Sequence, residues 1–313
     1  MSAPEFVVAV DLGGSLTKIA AATPDGRLSR VERLPTRLGG TDEALLQWLA
    51  EQIRRLAHSG PGCCLGYGVV VPGIIDATTG TVRAAPNVGW YNVPVAARLS
   101  ALTGLPGAVG HDVRSGGLAE WRLGAGVGVA NLLFLPLGTG IAGAMVVDGN
   151  LLEADGYAGE IGHVRVGAAE QLPCACGQRG CLETVTSAAG VSRSYGRLSG
   201  TSGPSPLPDA QQVAERARAG EPAARAAYDV AAEGLAEALL VYLTLLAPEV
   251  VIIGGGLAGA LDLFLPQIDA ELRSRATLQR LPRIVPATLG ADAGLVGAGL
   301  IGRADAARRA VTR

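Results

Sequence analysis

One arrangement occurs twice in this chain and limits what it can fold into. The apolar run Phe6 to Val10 ends in Asp11-Leu12-Gly13-Gly14-Ser15, Lys18 to Ala22 reads as a second strand, and Pro24-Asp25-Gly26 as a turn. Roughly one hundred residues on, Leu132 to Leu137 ends in Gly138-Thr139-Gly140, Ala142 to Val147 is the next strand, and Asp148-Gly149 turns the chain. Strand, glycine-rich bend, strand and Asp-Gly turn, repeated, predict an internal duplication that sets two phosphate-sized backbone loops facing each other across a cleft. A chain of 313 residues is long enough to build two domains around such a cleft.

The remaining elements alternate. Thr41 to His58 has helical spacing of Leu45, Leu46, Leu49, Ile53 and Leu56, with Thr41 as N-cap. Cys64 to Val71 reads as a strand ended by Pro72-Gly73, and Val113 to Leu123 as a helix after Asp112. Arg197 to Pro208, rich in Gly, Ser and Pro, reads as a mobile loop. Ala210 to Ala219 and Glu221 to Leu246 are helical, Val250 to Ile253 is a buried strand entering Gly254-Gly255-Gly256, and Ala293 to Ala307 closes the chain as a helix.

Composition excludes several classes. With 49% hydrophobic and 17% charged residues the chain is globular rather than disordered, and its net charge of −2 makes no case for nucleic acid or an anionic membrane as partner. The segment Met1 to Phe6 lacks the features of a signal peptide. The apolar stretch Ala238 to Ala247 is interrupted by Pro248-Glu249 and falls short of the roughly 20 residues a span needs. A cytoplasmic location is expected, and five cysteines in a reducing compartment do not form a disulfide framework.

Three of those cysteines cluster. His163 precedes Cys174-Ala175-Cys176-Gly177-Gln178-Arg179-Gly180-Cys181, and three thiolates with one imidazole satisfy a tetrahedral Zn²⁺. Four protein ligands leave no open position, so the ion is structural. Gly177 and Gly180 permit the bend that returns Cys181 to the metal.

The glycine bends are weaker signals singly. Asp11, Gly13, Gly14, Ser15 and Thr17 offer amides and hydroxyls to phosphate, with Asp11 placed to hold Mg²⁺ through water, and Gly138, Thr139 and Gly140 offer the same. An ordinary glycine hairpin is the plainer reading of either one. Gly254, Gly255 and Gly256 would let an adenosine lie against bare backbone, or simply form a tight strand-to-helix turn. Asp112, following the apolar Ala108-Val109 and preceding a helix, is the candidate general base or a simple N-cap. Glu160 and Glu183 flank the zinc motif, as sugar-binding carboxylates or as solvated ones; His163 could bind zinc through one nitrogen and donate to a sugar from the other.

These motifs, in order through nearly the whole chain, resemble the ROK family of repressors and sugar kinases. Asp11 to Ser15 is similar to its first phosphate motif, with Ser where Thr is usual. Val71-Pro-Gly-Ile-Ile-Asp76 and Pro86-Asn-Val-Gly-Trp90 resemble its sugar-domain signatures, Gly138 to Gly140 its second phosphate motif, and Glu160-Ile-Gly-His163 with Cys174 to Glu183 its sugar and zinc motifs. The resemblance implies an α/β, actin-like or hexokinase-like ATPase fold, with two duplicated ribonuclease H-like α/β domains around a central cleft. The expected division is a smaller domain over 1–114 and a larger one over 115–313, the last helix of about 300–313 packing back on the first.

It implies, too, an ATP-dependent kinase acting on the 6-hydroxyl of glucose, N-acetylglucosamine, N-acetylmannosamine or a related hexose. Asp112 would be the base, Asn87, His111, Glu160, His163 and Glu183 would orient the sugar, and the protein would be a homodimer. One departure bears on the substrate: His111 stands where the family usually has Asn, and imidazole offers a different donor and acceptor set. A sugar-sensing repressor is the competing class, but the ten residues before Asp11 cannot hold a DNA-binding domain. A non-catalytic sugar-binding protein, its site spoiled by His111, is the third reading.

Overall fold

The computed structural model describes residues 4–200 and 206–311; the centre of the expected loop from Arg197 to Pro208, residues 201–205, lies outside them. The chain divides into two compact units, Met1–Leu123 with Glu153–Ala158 and Asp292–Arg313, and Gly124–Leu152 with Gly159–Ala291. The first begins with β1 (Glu5–Leu12), β2 (Leu16–Ala22), β3 (Leu28–Pro35), α1 (Asp42–Ser59) and β4 (Cys63–Val71). It continues through β5 (Ile74–Asp76), β6 (Thr81–Ala85), β7 (Trp90–Val93), α2 (Val95–Thr103), β8 (Gly107–His111) and α3 (Asp112–Leu123). The second holds β9 (Leu132–Pro136), β10 (Ala144–Val147), β11 (Asn150–Leu151), α4 (Glu183–Thr186), α5 (Ala188–Leu198) and α6 (Ala210–Arg218). Then come α7 (Pro222–Leu246), β12 (Val250–Gly254), α8 (Leu261–Arg275) and β13 (Arg283–Pro286), before α9 (Ala293–Val311) rejoins the first unit.

The duplication is visible in strand order. One sheet runs β3-β2-β1-β4-β8 and the other β11-β10-β9-β12-β13. In each, an antiparallel meander of three strands pairs, through its first strand, with two parallel strands. A third sheet, β5-β6-β7, is a small antiparallel addition to the first unit.

Continuous apolar runs mark the strands covered on both faces. In β1, Phe6, Val8 and Val10 join a core that includes Leu46, Leu49 and Ile53 of α1, while the alternate Val7 and Ala9 pack with Leu295 and Ala298 of α9. The period of two thus sends successive side chains to two different helices. Thr41 caps α1 as expected, accepting from Ala44 N, and Asp42 and Glu43 in the first turn complement the helix dipole. Edge strand β3 carries Arg30, Glu32 and Arg33 and has no fully buried residue, so it gives no apolar run to read. No helix among the described residues is long and apolar enough to cross a membrane.

Candidate active site

The register of β1 and β2 pairs Asp11 with Lys18 and Leu12 with Thr17, which leaves Gly13 to Ser15 as the bend. Gly13 N donates to Leu16 O at 3.0 Å, and Ser15 O accepts from Thr36 N at 3.0 Å. Among the described residues the amides of Gly14 and Ser15 have no acceptor, so the bend presents two spare donors. Thr17, expected to offer its hydroxyl to phosphate, sits elsewhere: it is only 2% exposed. Thr36 Oγ1 donates to Gly13 O at 2.7 Å, so the 2.8 Å contact between the two hydroxyls is a donation from Thr17 to Thr36. Strand alternation turns Thr17 inward, and its hydroxyl braces the bend from behind.

Asp11 lies 3.6 Å from Lys18 Nζ, which also approaches Asp292 Oδ1 at 3.5 Å; Arg33 donates to the same Asp292 oxygen at 3.2 Å. Burial pushes the Asp11 carboxyl up to about 6; Lys18 opposes that rise, and the negative charges of Asp112 and Asp292 add to it. Asn87 is exposed beside the bend, where a Cβ on Gly14 would sit 3.1 Å from Asn87 O. A hollow of about 250 Å³ opens there, lined by Arg37, Thr41, Asn87 and Trp90 among others.

Asp112 opens α3 at the end of β8, as its place after an apolar run predicts. Its Oδ1 accepts from Val113 N at 2.7 Å, while the N-terminal cap is His111, whose Nδ1 accepts from Arg114 N at 3.3 Å. An Nδ1 that accepts carries no proton, so the 3.4 Å approach of His111 Nδ1 to Asp112 Oδ1 is not an ion pair. Burial, with the Arg114 charge adding, holds the imidazole down at about 3, which fixes the neutral form with its proton on Nε2. Burial raises the Asp112 carboxyl, opposed by the Val113 amide and by Arg114. About a third of its side chain, 32%, stays open, so a proton acceptor of raised affinity remains reachable.

In the second unit, the amides of Thr139 and Gly140 likewise have no acceptor among the described residues, and Glu183 Oε2 accepts from Ile141 N at 2.9 Å just beyond them. Glu183 is half-buried at the start of α4, whereas Glu160 is exposed. Gly254 O accepts from Leu137 N at 2.9 Å, which brings Gly254–Gly256 against the second bend. Gly255 (φ 76°) allows a close backbone approach, since a Cβ there would meet Leu137 O at 2.4 Å; Gly256 faces open space.

His163, Cys174, Cys176 and Cys181 converge with all four donor atoms within 4.8 Å of one another. Cys174 Sγ is 3.8 Å from His163 Nδ1, and Cys176 Sγ is 3.7 Å from Cys181 Sγ. A tetrahedral ion with bonds of about 2.3 Å to sulfur gives an edge of about 3.8 Å, so the cluster has the size and soft-donor chemistry of such a site. Cys174 N donates to Gln178 O at 2.8 Å and Gly177 N to Cys174 O at 3.0 Å, the knuckle that returns the chain. Burial, with the other two thiols adding, pushes Cys181 up to about 12, and a bound cation would reverse this.

Sequence reasoning passed over three participants: Asp292 and Thr36, which carry no local signal, and Lys18, whose place opposite Asp11 in a short hairpin was legible.

Two copies of one sheet, each with an amide-bearing bend after its first strand, define a protein of the hexokinase-like ATPase fold. The ROK family profile matches residues 7–304, and the chain belongs to that family. It is 34% identical to a glucokinase of Halalkalibacterium halodurans and 32% identical to one of Thermotoga maritima, in each case over 94% of this chain and at least 94% of the relative. A solved ROK glucokinase of Streptomyces griseus, in complex with glucose and AMPPNP, superposes with a TM-score of 0.80 at 27% identity, covering 96% of this chain and 99% of that one.

Proposed function

We propose that this ROK protein is an ATP-dependent sugar kinase that transfers the γ-phosphoryl group to the 6-hydroxyl of a hexose, glucose ahead of N-acetylglucosamine and N-acetylmannosamine. The observation that carries the reading is Asp112, an accessible carboxylate of raised proton affinity set on the first turn of α3. Asp112 takes the proton of the attacking hydroxyl as the new oxygen–phosphorus bond forms, the β–γ bridging bond breaks, and ADP leaves. The spare amides of Gly14, Ser15, Thr139 and Gly140 are donors for phosphate oxygens, and they need no reorganisation as charge develops. Gly255 and Gly256 leave bare backbone for the adenosine.

Asp11 fits a Mg²⁺ held through water, because a carboxylate costly to keep ionised beside Asp112 and Asp292 gains from a cation. That ion, when bound with ATP, neutralises phosphate charge. Asn87, His111, Glu160, His163 and Glu183 orient the sugar, with His111 contributing only a donor because its acceptor nitrogen caps α3. The closed His163–Cys174–Cys176–Cys181 set fits a structural Zn²⁺ that braces the segment between His163 and Glu183. By family resemblance the protein is a cytoplasmic homodimer.

The test is a coupled ADP-release assay with Mg-ATP over a panel of hexoses and N-acetylhexosamines. Sugar-dependent turnover with glucose preferred is expected. Folded protein that releases no ADP with any sugar would sink the kinase reading.

A further inference from the structure

We propose that Arg114 is a positioning residue that ties the root of the sugar-orienting loop to the helix carrying the base. This rests on the kinase reading above, but its central observation is independent of it. Arg114 lies two residues after Asp112 on the first turn of α3, and only 6% of it is exposed. Its Nη1 donates to Gly156 O and to Ala158 O, both at 3.1 Å. Its backbone N donates to His111 Nδ1, so the same residue fixes the imidazole on the other side of Asp112.

The tethered segment is unusual in two respects. Glu153–Ala158 is the one stretch between Gly124 and Ala291 that belongs to the first unit. Within it Ala154, Asp155 and Gly156 have φ of 44°, 54° and 92°, three left-handed residues in succession, two of which carry a Cβ. Such backbone is unfavourable and persists only where its surroundings over-determine it. One support is β5, on which the turn sits so closely that a Cβ on Gly156 would fall 2.3 Å from Ile75 O. The buried guanidinium is the other, drawing two carbonyls of the turn's exit onto one nitrogen.

Gly159 and Glu160 follow directly, then His163. A root that wanders moves Glu160 and His163 together, since only a 3-10 turn over Ile161–His163 separates them. Arg suits the task better than Lys because its fork is planar and weakly hydrated, and so survives burial as a cation with several donors in fixed directions. Its charge also lies close enough to Asp112 to oppose the rise in that carboxyl.

The experiment combines amide hydrogen exchange with steady-state kinetics on the full chain, comparing wild type with Arg114→Met and Arg114→Lys. In Arg114→Met the amides of residues 154–160 exchange at least about tenfold faster, as loss of charge-assisted hydrogen bonds requires. The KM for the hexose with highest turnover rises about tenfold or more while the KM for Mg-ATP changes less than about threefold. Arg114→Lys recovers part of both effects. Unchanged exchange at 154–160 would overturn the tether. Equal changes in both KM values, or a fall in thermal stability with no sugar-specific change, would reduce Arg114 to a structural brace and overturn the positioning role. Should wild type phosphorylate no sugar, the kinase reading fails while faster exchange in Arg114→Met still upholds the tether.

Discussion

At the first bend the support is a relay of hydroxyls, Thr17 to Thr36 to the carbonyl of Gly13; at the second it is one carboxylate, Glu183, accepting from Ile141 N. The first unit then surrounds its bend with ionisable groups in costly states: Asp11 and Asp112 raised, His111 depressed, and Lys18 shared between Asp11 and Asp292. The second surrounds its own with backbone amides, bare glycines and the Glu183 carboxylate. Duplication has kept the topology, which strand pairing and burial enforce, and released the chemistry, which resides in side chains the sheet does not need. On the proposed reading the base, Asp112, falls in the first copy and the His163–Cys174–Cys176–Cys181 cluster in the second.

The sharpest way to break that comparison is Asp112→Asn. The isosteric amide keeps the shape and cannot take a proton, so kcat should fall by roughly 10²–10⁴-fold with circular dichroism and ATP binding unchanged. Appreciable turnover would move the base elsewhere and remove the main asymmetry between the units. In the second unit, Cys176→Ser should lose the metal, measured by elemental analysis, and lower thermal stability by several kcal/mol at most, with sugar affinity falling about 10–100-fold. Full metal content with unchanged melting would refute the structural role.

A pH series sharpens the electrostatic side. Asp11 has its folded value raised from 3.8 to about 6, so its stabilising contribution is complete below the unfolded value and is lost as pH rises through about 6. Asp11→Asn should therefore melt higher than wild type at pH 8, by at most about 3 kcal/mol in stability, and the gap should close by pH 4. His111 runs the other way: lowered from 6.5 to about 3, its contribution is present above the unfolded value and is lost as pH falls from about 6.5 toward 3. An Asp11→Asn variant less stable than wild type at pH 8 would mean that the Lys18 pair outweighs burial. The smallest effect is expected at Glu183→Gln, where a charge-assisted bond becomes a neutral one at a cost of about 1 kcal/mol, read as a modest rise in KM. A loss of turnover as large as that of Asp112→Asn would place chemistry in the second copy as well.

Much of this was readable because it is local. Apolar runs with a bend and an Asp-Gly turn fixed both hairpins, since burial on two faces demands unbroken hydrophobic strands. The cysteine spacing anticipated the convergence of Cys174, Cys176 and Cys181, since three thiols around one knuckle have few ways to lie. The strand–Asp112–helix order placed the candidate base at a strand end. Other parts gave no such signal. Charged edge strand β3, the short strands β5 to β7, and α8 with Pro266 inside it lack the periodicity that propensity reading needs. The pairing of Lys18 with Asp292, the hold of Arg114 on Gly156 and Ala158, and the bond from Thr17 to Thr36 join residues far apart in the chain. Local pattern sets which face of an element is apolar; only closure of the tertiary structure decides which distant polar atom meets which, because a buried donor or acceptor must find its partner wherever packing brings one.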